Sequence, residues 1–258
     1  MLKFKIINAL AGSAMIALLV NEIIGNTPIS WYIWVFVIWF LITGFGSWFI
    51  QWNYHLVSLH RNPNVLDNLV SITFDDGPNL QFTPQVLLLL KKYNAKATFF
   101  CIGQNAEKYP NLLKQIVEEG HSVGNHTHSH ANGFGFFSTE KVVGELHKTN
   151  SIIEASTGLT MKLYRPAFGI TNPNIKKALK ILGLQSIGWS KRSFDTTFLS
   201  EEKVLRRITK NLKKGDIILL HDSSAKSVSV LEHLLLFLQE NKIQSVTVDR
   251  LLEIEPYA

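Results

Sequence analysis

Cysteine is almost absent from this 258-residue chain, and the single one, Cys101, cannot form an intramolecular disulfide. It lies in an apolar run, where a buried and unreactive thiol is the expected state. Charge is also scarce at the start of the chain, because only Lys3, Lys5 and Glu22 are charged before Arg61. The low overall charge, 18% of residues against 46% hydrophobic, is therefore a local property of this N-terminal part. Such a part is expected to contact lipid rather than water.

Two long apolar stretches make up this weakly charged part. Residues 6–24 form the first, with few polar interruptions, and residues 31–52 form the second, with no charge and with tryptophan near both ends. A membrane-spanning helix needs about 20 apolar residues, and aromatic side chains favour the headgroup level at its ends. We therefore predict a transmembrane hairpin over residues 1–52, with helices at about 6–24 and 31–52. A signal peptide is the alternative for the first stretch, but no convincing cleavage site follows it.

Basic residues near the hairpin predict its orientation. Its connecting turn, residues 25–28, carries no Lys or Arg, whereas Lys3 and Lys5 precede the hairpin and Arg61 follows it. Basic residues favour the cytoplasmic side, so we expect an integral membrane protein whose soluble domain faces the cytoplasm. The net charge of +6 and the isoelectric point near 9.3 do not come from one basic block. They indicate attraction to the anionic headgroups of the lipid bilayer, and we expect no nucleic-acid partner.

The remaining chain alternates between strand-like and helix-like segments. Residues 53–68 are polar and turn-rich, which predicts a linker, and residues 69–258 are predicted to form one domain. Seven β-branched or aromatic runs predict strands at 69–74, 96–102, 121–124, 162–165, 185–189, 216–221 and 243–248. Helices are predicted from residue 83 and at 110–120, 138–157, 173–183, 201–215 and 227–241. This order predicts an α/β fold with a parallel sheet, and so many βα units favour a closed barrel over an open sheet.

Carboxylates and histidines follow two of these strands. The run 70–78 ends in Asp75, Asp76, glycine and proline, so two adjacent carboxylates lie where a buried strand stops and can turn into one pocket. A solvated turn is the simpler interpretation of these four residues taken alone. After the third strand, however, His126 and His130 are four residues apart, which on a helical turn would place them on one face. With one carboxylate they would form a His-His-carboxylate set that binds a divalent metal and leaves positions open for water.

Four segments resemble signature motifs of the polysaccharide deacetylases, the NodB-homology family. They occur in the family's order, at residues 73–78, 126–130, 165–169 and 218–222. The first two motifs, Asp-Asp-Gly-Pro and His-Thr-x-x-His, are specific as a combination. The resemblance covers roughly residues 69–250 and does not include the hairpin. It implies a distorted (β/α)-barrel of the NodB type, with about seven parallel strands, here preceded by the transmembrane hairpin.

The resemblance also implies roles for individual residues. They are a catalytic base, Asp75; three metal ligands, Asp76, His126 and His130; an arginine that holds the base, Arg165; a general acid, His221; and the partner of that acid, Asp195. The backbone N–H of Phe168 falls at an oxyanion-stabilising position, and Leu219 and Trp189 line the substrate pocket. The fourth motif, at 189–196, departs from the family pattern. Arg192 stands where an acid is common, which affects the fit of the substrate more than the chemistry.

These residue types suit the hydrolysis of an amide. A divalent metal polarises a carbonyl and lowers the pKa of bound water from about 16 to about 7, while a carboxylate takes a proton and a histidinium protonates the departing amine. We predict a membrane-anchored hydrolase of carbon–nitrogen bonds that removes N-acetyl or related N-acyl groups from a saccharide, including a lipid-linked one. Zinc is the favoured metal, with Co²⁺, Mn²⁺ and Ni²⁺ as alternatives.

Other functions are compatible with parts of the sequence. The runner-up is an outward-facing deacetylase of peptidoglycan or chitin-type glycans, and the same site could serve an O-acetyl esterase or an N-deformylase. A glycan-binding protein with a dead site is disfavoured, because Asp75, the metal ligands and His221 are all present. A glycosidase is disfavoured as well, because adjacent carboxylates cannot flank a bond at a separation of about 5–10 Å.

One loop has two open interpretations. Residues 131–137 directly follow His130, one of the two predicted metal ligands, and contain Phe134, Phe136 and Phe137. The loop either caps the core or forms an apolar lip beside the pocket that meets the acyl chain or the bilayer.

Overall fold

The computed structural model describes residues 3–258, which begin with a helical hairpin. Its helices are α1, Phe4–Ile24, and α2, Ile29–Trp48, so α2 begins at residue 29 rather than 31 and ends at 48 rather than 52. Only 6% of the most apolar window of each helix is buried, so neither is a core helix of the remaining chain. Their length and composition fit membrane spans, and their position near the N-terminus also fits a signal sequence.

Polar side chains of the hairpin bind to one another. Asn8 in α1 accepts a hydrogen bond from the indole Nε1 of Trp39 in α2, at 2.7 Å. At the connecting turn, the carboxylate of Glu22 accepts from the backbone N–H of Thr27 at 2.9 Å. An unsatisfied polar group in the hydrocarbon layer of a membrane costs several kcal/mol. These contacts therefore suit helices that are surrounded by lipid.

The segment predicted as a linker, residues 53–68, is packed rather than free. The buried ring of Tyr54 covers Gly46 of α2, and its hydroxyl group lies 3.0 Å from Thr43 Oγ1. Further along, β1, Ser58–Leu59, joins the edge of the sheet. A polar, turn-rich composition does not distinguish a free linker from a surface segment whose few apolar residues are anchored. The hairpin and the following domain are thus joined by a fixed contact.

A single sheet of nine strands follows, and seven of its strands were predicted. The strands after β1 are β2, Leu69–Asp75; β3, Ala97–Cys101; β4, Ser122–Asn125; β5, Leu163–Tyr164; β6, Gln185–Ile187; β7, Lys191–Arg192; β8, Ile217–His221; and β9, Gln244–Ser245. Their order is β1-β6-β5-β4-β3-β2-β8-β7, with β9 beside β2, and the pairs are parallel. β6 and β7 belong to one extended segment, whose first half pairs with β5 and whose second half pairs with β8. This segment closes the sheet on itself, which confirms the predicted distorted barrel.

Helices surround the barrel and begin and end near the predicted capping and turn residues. They are α3, Thr83–Lys92; α4, Gly103–Lys108; α5, Pro110–Glu118; α6, Thr139–Thr157; α7, Pro173–Leu182; α8, Glu201–Thr209; α9, Ala225–Glu240; and α10, Val248–Leu252. Side-chain caps at Ser138, Asn172 and Ser200 accept backbone N–H groups of α6, α7 and α8. α8 ends at residue 209 rather than 215, because the carboxylate of Asp216 accepts the N–H of Lys213 at 2.9 Å and holds a turn before β8.

β2 is the central strand, buried at all of its positions and paired with β3 and β8. One hydrophobic cluster lies between the barrel and its helices, and a second lies inside the barrel. Cys101, at the end of β3, is fully buried, and burial raises the pKa of its thiol well above the usual range. The thiol is therefore protonated and inert, as its apolar surroundings predicted.

Candidate active site

The C-terminal end of β2 brings two adjacent carboxylates to one pocket. Asp75 is the last residue of the strand and is buried, whereas Asp76 adopts a left-handed backbone with φ 75°. Both side chains line the same pocket. The turn is held from α4, where Asn105 Nδ2 donates to the backbone carbonyl of Asp76 at 2.7 Å. The pair is thus part of a built site and not a solvated turn.

Asp76, His126 and His130 converge as the sequence predicted. Asp76 Oδ1 lies 3.5 Å from Nε2 of each histidine, and one ligand atom from each of the three residues falls within 4.8 Å of the others. His126 Nδ1 donates to the backbone carbonyl of Arg165 at 2.9 Å, which leaves Nε2 with its lone pair facing the other two residues. Burial lowers the pKa of His126 to about 3, so its imidazole is neutral. One carboxylate and two imidazoles, one of which is neutral with a free lone pair on Nε2, fit a divalent metal ion.

The histidine pair converges through a loop rather than through the predicted helical turn. Residues 126–130 lie outside any helix, and Thr127 and His130 have positive φ angles of 67° and 48°. The carboxylate of Glu145, on α6, accepts the backbone N–H groups of His128 and Ser129 at 3.1 and 2.8 Å. Asn125 Oδ1 accepts the N–H of Thr127 at 2.8 Å. Glu145 could not be predicted from the sequence, because this contact arises only when α6 packs on the loop.

A fully buried arginine holds Asp75. Arg165 Nη1 donates to Asp75 Oδ1 at 2.9 Å and to Thr73 Oγ1 at 2.6 Å, and Nη2 donates to the carbonyl of Gly188 at 2.9 Å. Burial lowers the pKa of Arg165, and the charge of Asp75 raises it again. The second oxygen, Asp75 Oδ2, lies 3.9 Å from His126 Nε2. One oxygen of the carboxylate is therefore committed to Arg165, and the other faces the histidines.

His221, at the end of β8, is paired with Asp195. Its Nδ1 donates to Asp195 Oδ1 at 2.8 Å, and its backbone N–H donates to Asp195 Oδ2 at 2.9 Å. Burial alone lowers the pKa of His221, but the hydrogen bond and charge of Asp195, with the charges of Asp75 and Asp76, raise it to about 9. Asp195 is fully buried and its pKa is lowered, because the hydrogen bonds from His221 and Ser193 outweigh its desolvation. At neutral pH the pair is an imidazolium and a carboxylate.

Two serines missed by the sequence analysis complete this pair. Ser193 Oγ donates to Asp195 Oδ1 at 2.7 Å, and Ser227 Oγ, on α9, donates to Asp195 Oδ2 at 2.8 Å. A carboxylate that accepts several hydrogen bonds is stabilised in its charged form. Ser193 lies beside Asp195 in the chain, but Ser227 comes from a helix that only tertiary packing brings to the site.

Residues 62–187 of the chain match the sequence profile described as polysaccharide deacetylase. A peptidoglycan-N-acetylglucosamine deacetylase of Bacillus cereus is 36% identical over 191 residues, which span 72% of this chain and 89% of that protein. The chain belongs to the polysaccharide deacetylase family. A chitooligosaccharide deacetylase of Azorhizobium caulinodans is 34% identical over 154 residues, 59% of this chain and 73% of that protein. The chain matches only 38% to 56% of the length of some longer relatives.

A solved structure supports the family fold. It is a peptidoglycan N-acetylglucosamine deacetylase in complex with an N-hydroxybenzamide compound, and it superposes with a TM-score of 0.72 at 32% identity, over 78% of this chain and 95% of that one. The profile match, residues 62–187, does not include the N-terminal hairpin.

The predicted pocket residues also meet in this polysaccharide deacetylase. A pocket of about 330 Å³ is lined by the two aspartates, by His126, His130 and His221, and by Phe168, Gly169, Trp189, Arg192, Phe194, Thr196, Thr197 and Leu219. Phe168 has a left-handed backbone with φ 58°, and its ring lies 4.4 Å from that of His130. A Cβ on Gly169 would come within 2.6 Å of the Trp189 ring, so glycine is required where these two segments touch.

The loop that follows the histidines caps the core, which was one of its two interpretations. Phe134 is fully buried in the core beside Phe137, with ring centroids 5.6 Å apart. Phe136 is 95% exposed. The apolar lip stays a prediction, and Phe136 is the exposed side chain that would form it.

Proposed function

We propose that this protein is a metal-dependent N-deacetylase of amino sugars in a cell-wall type glycan, held at a membrane by its N-terminal hairpin. The observation that carries the proposal is the meeting of one His-His-carboxylate set, one arginine-held aspartate and one aspartate-held imidazolium in a single pocket. An amide requires activation of water, stabilisation of an oxyanion and protonation of a poor leaving group, and the pocket offers a group for each.

The proposed roles follow from the contacts. Asp76, His126 and His130 would hold a divalent ion, zinc by preference, which when bound activates water and polarises the acetyl carbonyl. Asp75 uses Oδ2, the oxygen not bound to Arg165, to take a proton from the attacking water. His221 is bound to Asp195 through Nδ1, and its Nε2–H gives its own proton to the departing amine. Arg165 orients Asp75 through its hydrogen bond to Oδ1.

The remaining pocket residues would fit the acetyl group. The backbone N–H of Phe168 is proposed as a donor to the developing oxyanion, where one good donor is worth roughly 3–4 kcal/mol. Leu219, which is 2% exposed, and Trp189, which is 5% exposed, supply an apolar surface for the methyl group. Such a pocket admits a small acyl group, which favours N-acetyl or N-formyl substrates over longer acyl chains.

The names of the relatives favour an outward-facing enzyme. The relatives named above act on peptidoglycan or on chitooligosaccharides, which favours our runner-up over the cytoplasmic, lipid-linked substrate that we predicted first. The cytoplasmic orientation depended on Lys3, Lys5 and Arg61 alone. We therefore propose an N-acetylated glycan strand as the substrate.

A lipid-linked saccharide is the second candidate, and the docking of the hairpin supports it. The carbonyl of Ser47, in the last turn of α2, accepts the N–H of Thr171 at 3.0 Å, just after the pocket loop that carries Phe168. Gln51 Nε2 donates to the carbonyl of the pocket residue Trp189 at 2.8 Å. With a spanning hairpin, these contacts keep the pocket near the headgroups, where a lipid-linked sugar would be found.

Acetate release from defined glycans tests the activity. The full-length protein in nanodiscs, loaded with zinc, should release acetate from chitotetraose and from peptidoglycan, and the Asp75→Asn variant should not. Hydrolysis of p-nitrophenyl acetate or of O-acetylated glycan, without release from either N-acetyl glycan, would identify an esterase and refute the proposal.

Mapping the membrane side separates the two substrates. Alkaline phosphatase fused after Ala258 is active only outside the cytoplasm, so an active fusion supports the glycan strand. An inactive fusion, together with protection of the domain from protease in spheroplasts, would refute the outward orientation and favour the lipid-linked sugar.

A further inference from the structure

An arginine in the pocket wall has no acidic partner. Arg192 lies in β7 opposite Leu219, so its backbone is fixed beside the reacting groups. Within residues 3–258, no carboxylate lies within 4.0 Å of its guanidinium, and none of its N–H groups donates a hydrogen bond to the protein. Arg165, by contrast, uses Nε, Nη1 and Nη2. Arg192 therefore presents unused donors to the pocket.

Aromatic rings fix the position of this guanidinium. Its Cζ lies 5.4 Å from the centre of the Trp189 ring and 4.9 Å from that of Phe194. A guanidinium that packs on aromatic faces keeps its N–H donors free at the edge, in the fork geometry that matches carboxylate and phosphate. Packing alone thus holds the cation but does not satisfy its donors.

A second arginine reinforces the positive charge. Arg207, on α8, places its Cζ 4.4 Å from the centre of the Phe194 ring, and its Nε donates to the backbone carbonyl of Arg192 at 2.8 Å. Arg207 also lines a shallow surface groove with Lys203, Arg206, Thr209 and Lys210. The positive charge therefore continues from the pocket wall onto the surface of α8.

Partial burial makes a bare cation at this position costly. Burial lowers the pKa of Arg192, the charge of Asp75 raises it, and Arg207 lowers it again. Two neighbouring cations with no carboxylate in contact repel each other, and an oxyanion bound by the free N–H groups of Arg192 would relieve that repulsion.

We propose that Arg192, with Arg207 beside it, forms an anion subsite and that the substrate carries an oxyanion on the sugar unit next to the reacting N-acyl group. The inference rests on the proposed function and adds the charge of the substrate to it. Two chemical sources provide such a group: the carboxylate of a lactyl-substituted sugar in a glycan strand, and the phosphate that links a sugar to a lipid. A neutral homopolymer of N-acetylglucosamine provides neither.

Three matched substrates test the subsite. They are chitotetraose, which is neutral; a tetrasaccharide of the same length with lactyl carboxylates; and an N-acetylglucosaminyl pyrophosphoryl short-chain isoprenoid. The variants are Arg192→Gln, Arg192→Lys and the control Arg250→Gln. Arg250 is exposed on α10, next to Asp249, which accepts from Ser122 at the start of β4, the end away from the pocket.

The subsite predicts a selective loss. Arg192→Gln should lower kcat/KM about tenfold on at least one anionic substrate, the loss expected for a hydrogen bond to a charged group. Its effect on chitotetraose should be clearly smaller, because a neutral glycan brings no anion to the guanidinium. Arg192→Lys should retain part of the preference, and Arg250→Gln all of it. The anionic substrate that responds identifies the carboxylate or the phosphate as the source.

Equal losses on neutral and anionic substrates would make Arg192 a support for Trp189 and Phe194 and would overturn the subsite. An unchanged preference in Arg192→Gln would also overturn it. Isothermal titration of the same glycans into Asp75→Asn, with and without Arg192→Gln, decides the question independently of turnover. Anion-selective binding without turnover in the wild type would refute the proposed function and support the subsite. Turnover without anion preference would support the proposed function and refute the subsite.

Discussion

The pairing of His221 with Asp195 makes a quantitative prediction about pH. The contacts with Asp195, Asp75 and Asp76 raise the pKa of His221 from 6.5 to about 9, against the effect of its burial. This difference corresponds to about 3 kcal/mol in favour of the imidazolium, since one pKa unit is worth about 1.36 kcal/mol. A cation held by Asp76 would oppose the carboxylate charges, so about 9 is an upper limit for the metal-loaded enzyme.

The direction of the pH dependence follows from the role of His221 as the acid. Because only protonated His221 can donate, activity on an amide should persist as the pH rises and fall through the folded-state pKa near 9. Asp195→Asn removes the largest favourable interaction, so burial is opposed only by the charges of Asp75 and Asp76 and the alkaline limit should move to lower pH. With a pKa of about 9 the protonated fraction at pH 7.5 is about 97%, and at the ordinary value of 6.5 it would be about 9%. Amide turnover at that pH should therefore fall, by up to about tenfold if the pKa returns to its ordinary value.

Two substrates separate this effect from misfolding. The pH profile of kcat/KM is measured for chitotetraose and for p-nitrophenyl acetate, whose leaving group needs no proton, and only the profile for the amide should shift. Ser227→Ala is a milder variant, because it removes one hydrogen bond from Asp195 and leaves its charge. It should shift the limit in the same direction by a smaller amount. An unchanged alkaline limit in Asp195→Asn, or equal losses on amide and ester, would refute the assignment of His221 as the acid.

Three further predictions concern the metal, the base and the exposed lip. The double variant His126→Ala, His130→Ala should contain no stoichiometric zinc by mass spectrometry, and equal metal content in variant and wild type would contradict the ligand set. Asp75→Asn should keep its zinc but lose about a hundredfold or more in turnover, since a positioned base is worth about 10²–10⁴-fold; retained turnover would exclude Asp75 as the base. Phe136→Ser should leave the melting temperature unchanged and weaken action on lipid-linked substrate only, whereas Phe134→Ser should destabilise the fold, because Phe134 is buried and Phe136 is 95% exposed.

Local patterns in the sequence were sufficient to predict the elements that carry the chemistry. The seven predicted strands all occur, because each lies in a run of largely buried, strand-forming residues between turn residues. Asp75 and His221 end neighbouring parallel strands, and the register pairs them directly, so they reach the same end of the barrel. The motif resemblance added the partners that spacing alone could not supply, such as Arg165, which lies 90 residues from Asp75 in the chain.

Contacts formed only by tertiary packing could not be predicted. Glu145 and Ser227 come from the flanks of long helices, where their sequence context resembles that of any exposed polar residue. The i, i+4 spacing of His126 and His130 correctly predicted that the two side chains meet, but the predicted helical turn is absent. Positive φ angles and hydrogen bonds to the Glu145 carboxylate shape a loop that brings the two histidines together. β1 was missed because its two residues lie in a polar, turn-rich segment, whereas the equally short β5 and β9 lie within longer runs of strand-forming residues.

The packed junction changes what the N-terminal hairpin can do for the enzyme. A free linker would let the pocket sample a wide range of heights above a membrane, but Ser47 and Gln51 bind the backbone of two pocket loops. Ile50 is buried in the cluster that fills the barrel, so the end of the hairpin is part of the domain core. Where the hairpin spans a membrane, the pocket is held at one height beside the headgroups, on whichever side the domain lies. A glycan must then come to the membrane surface to react, which favours newly made strands or lipid-linked sugars over mature wall material further from the membrane.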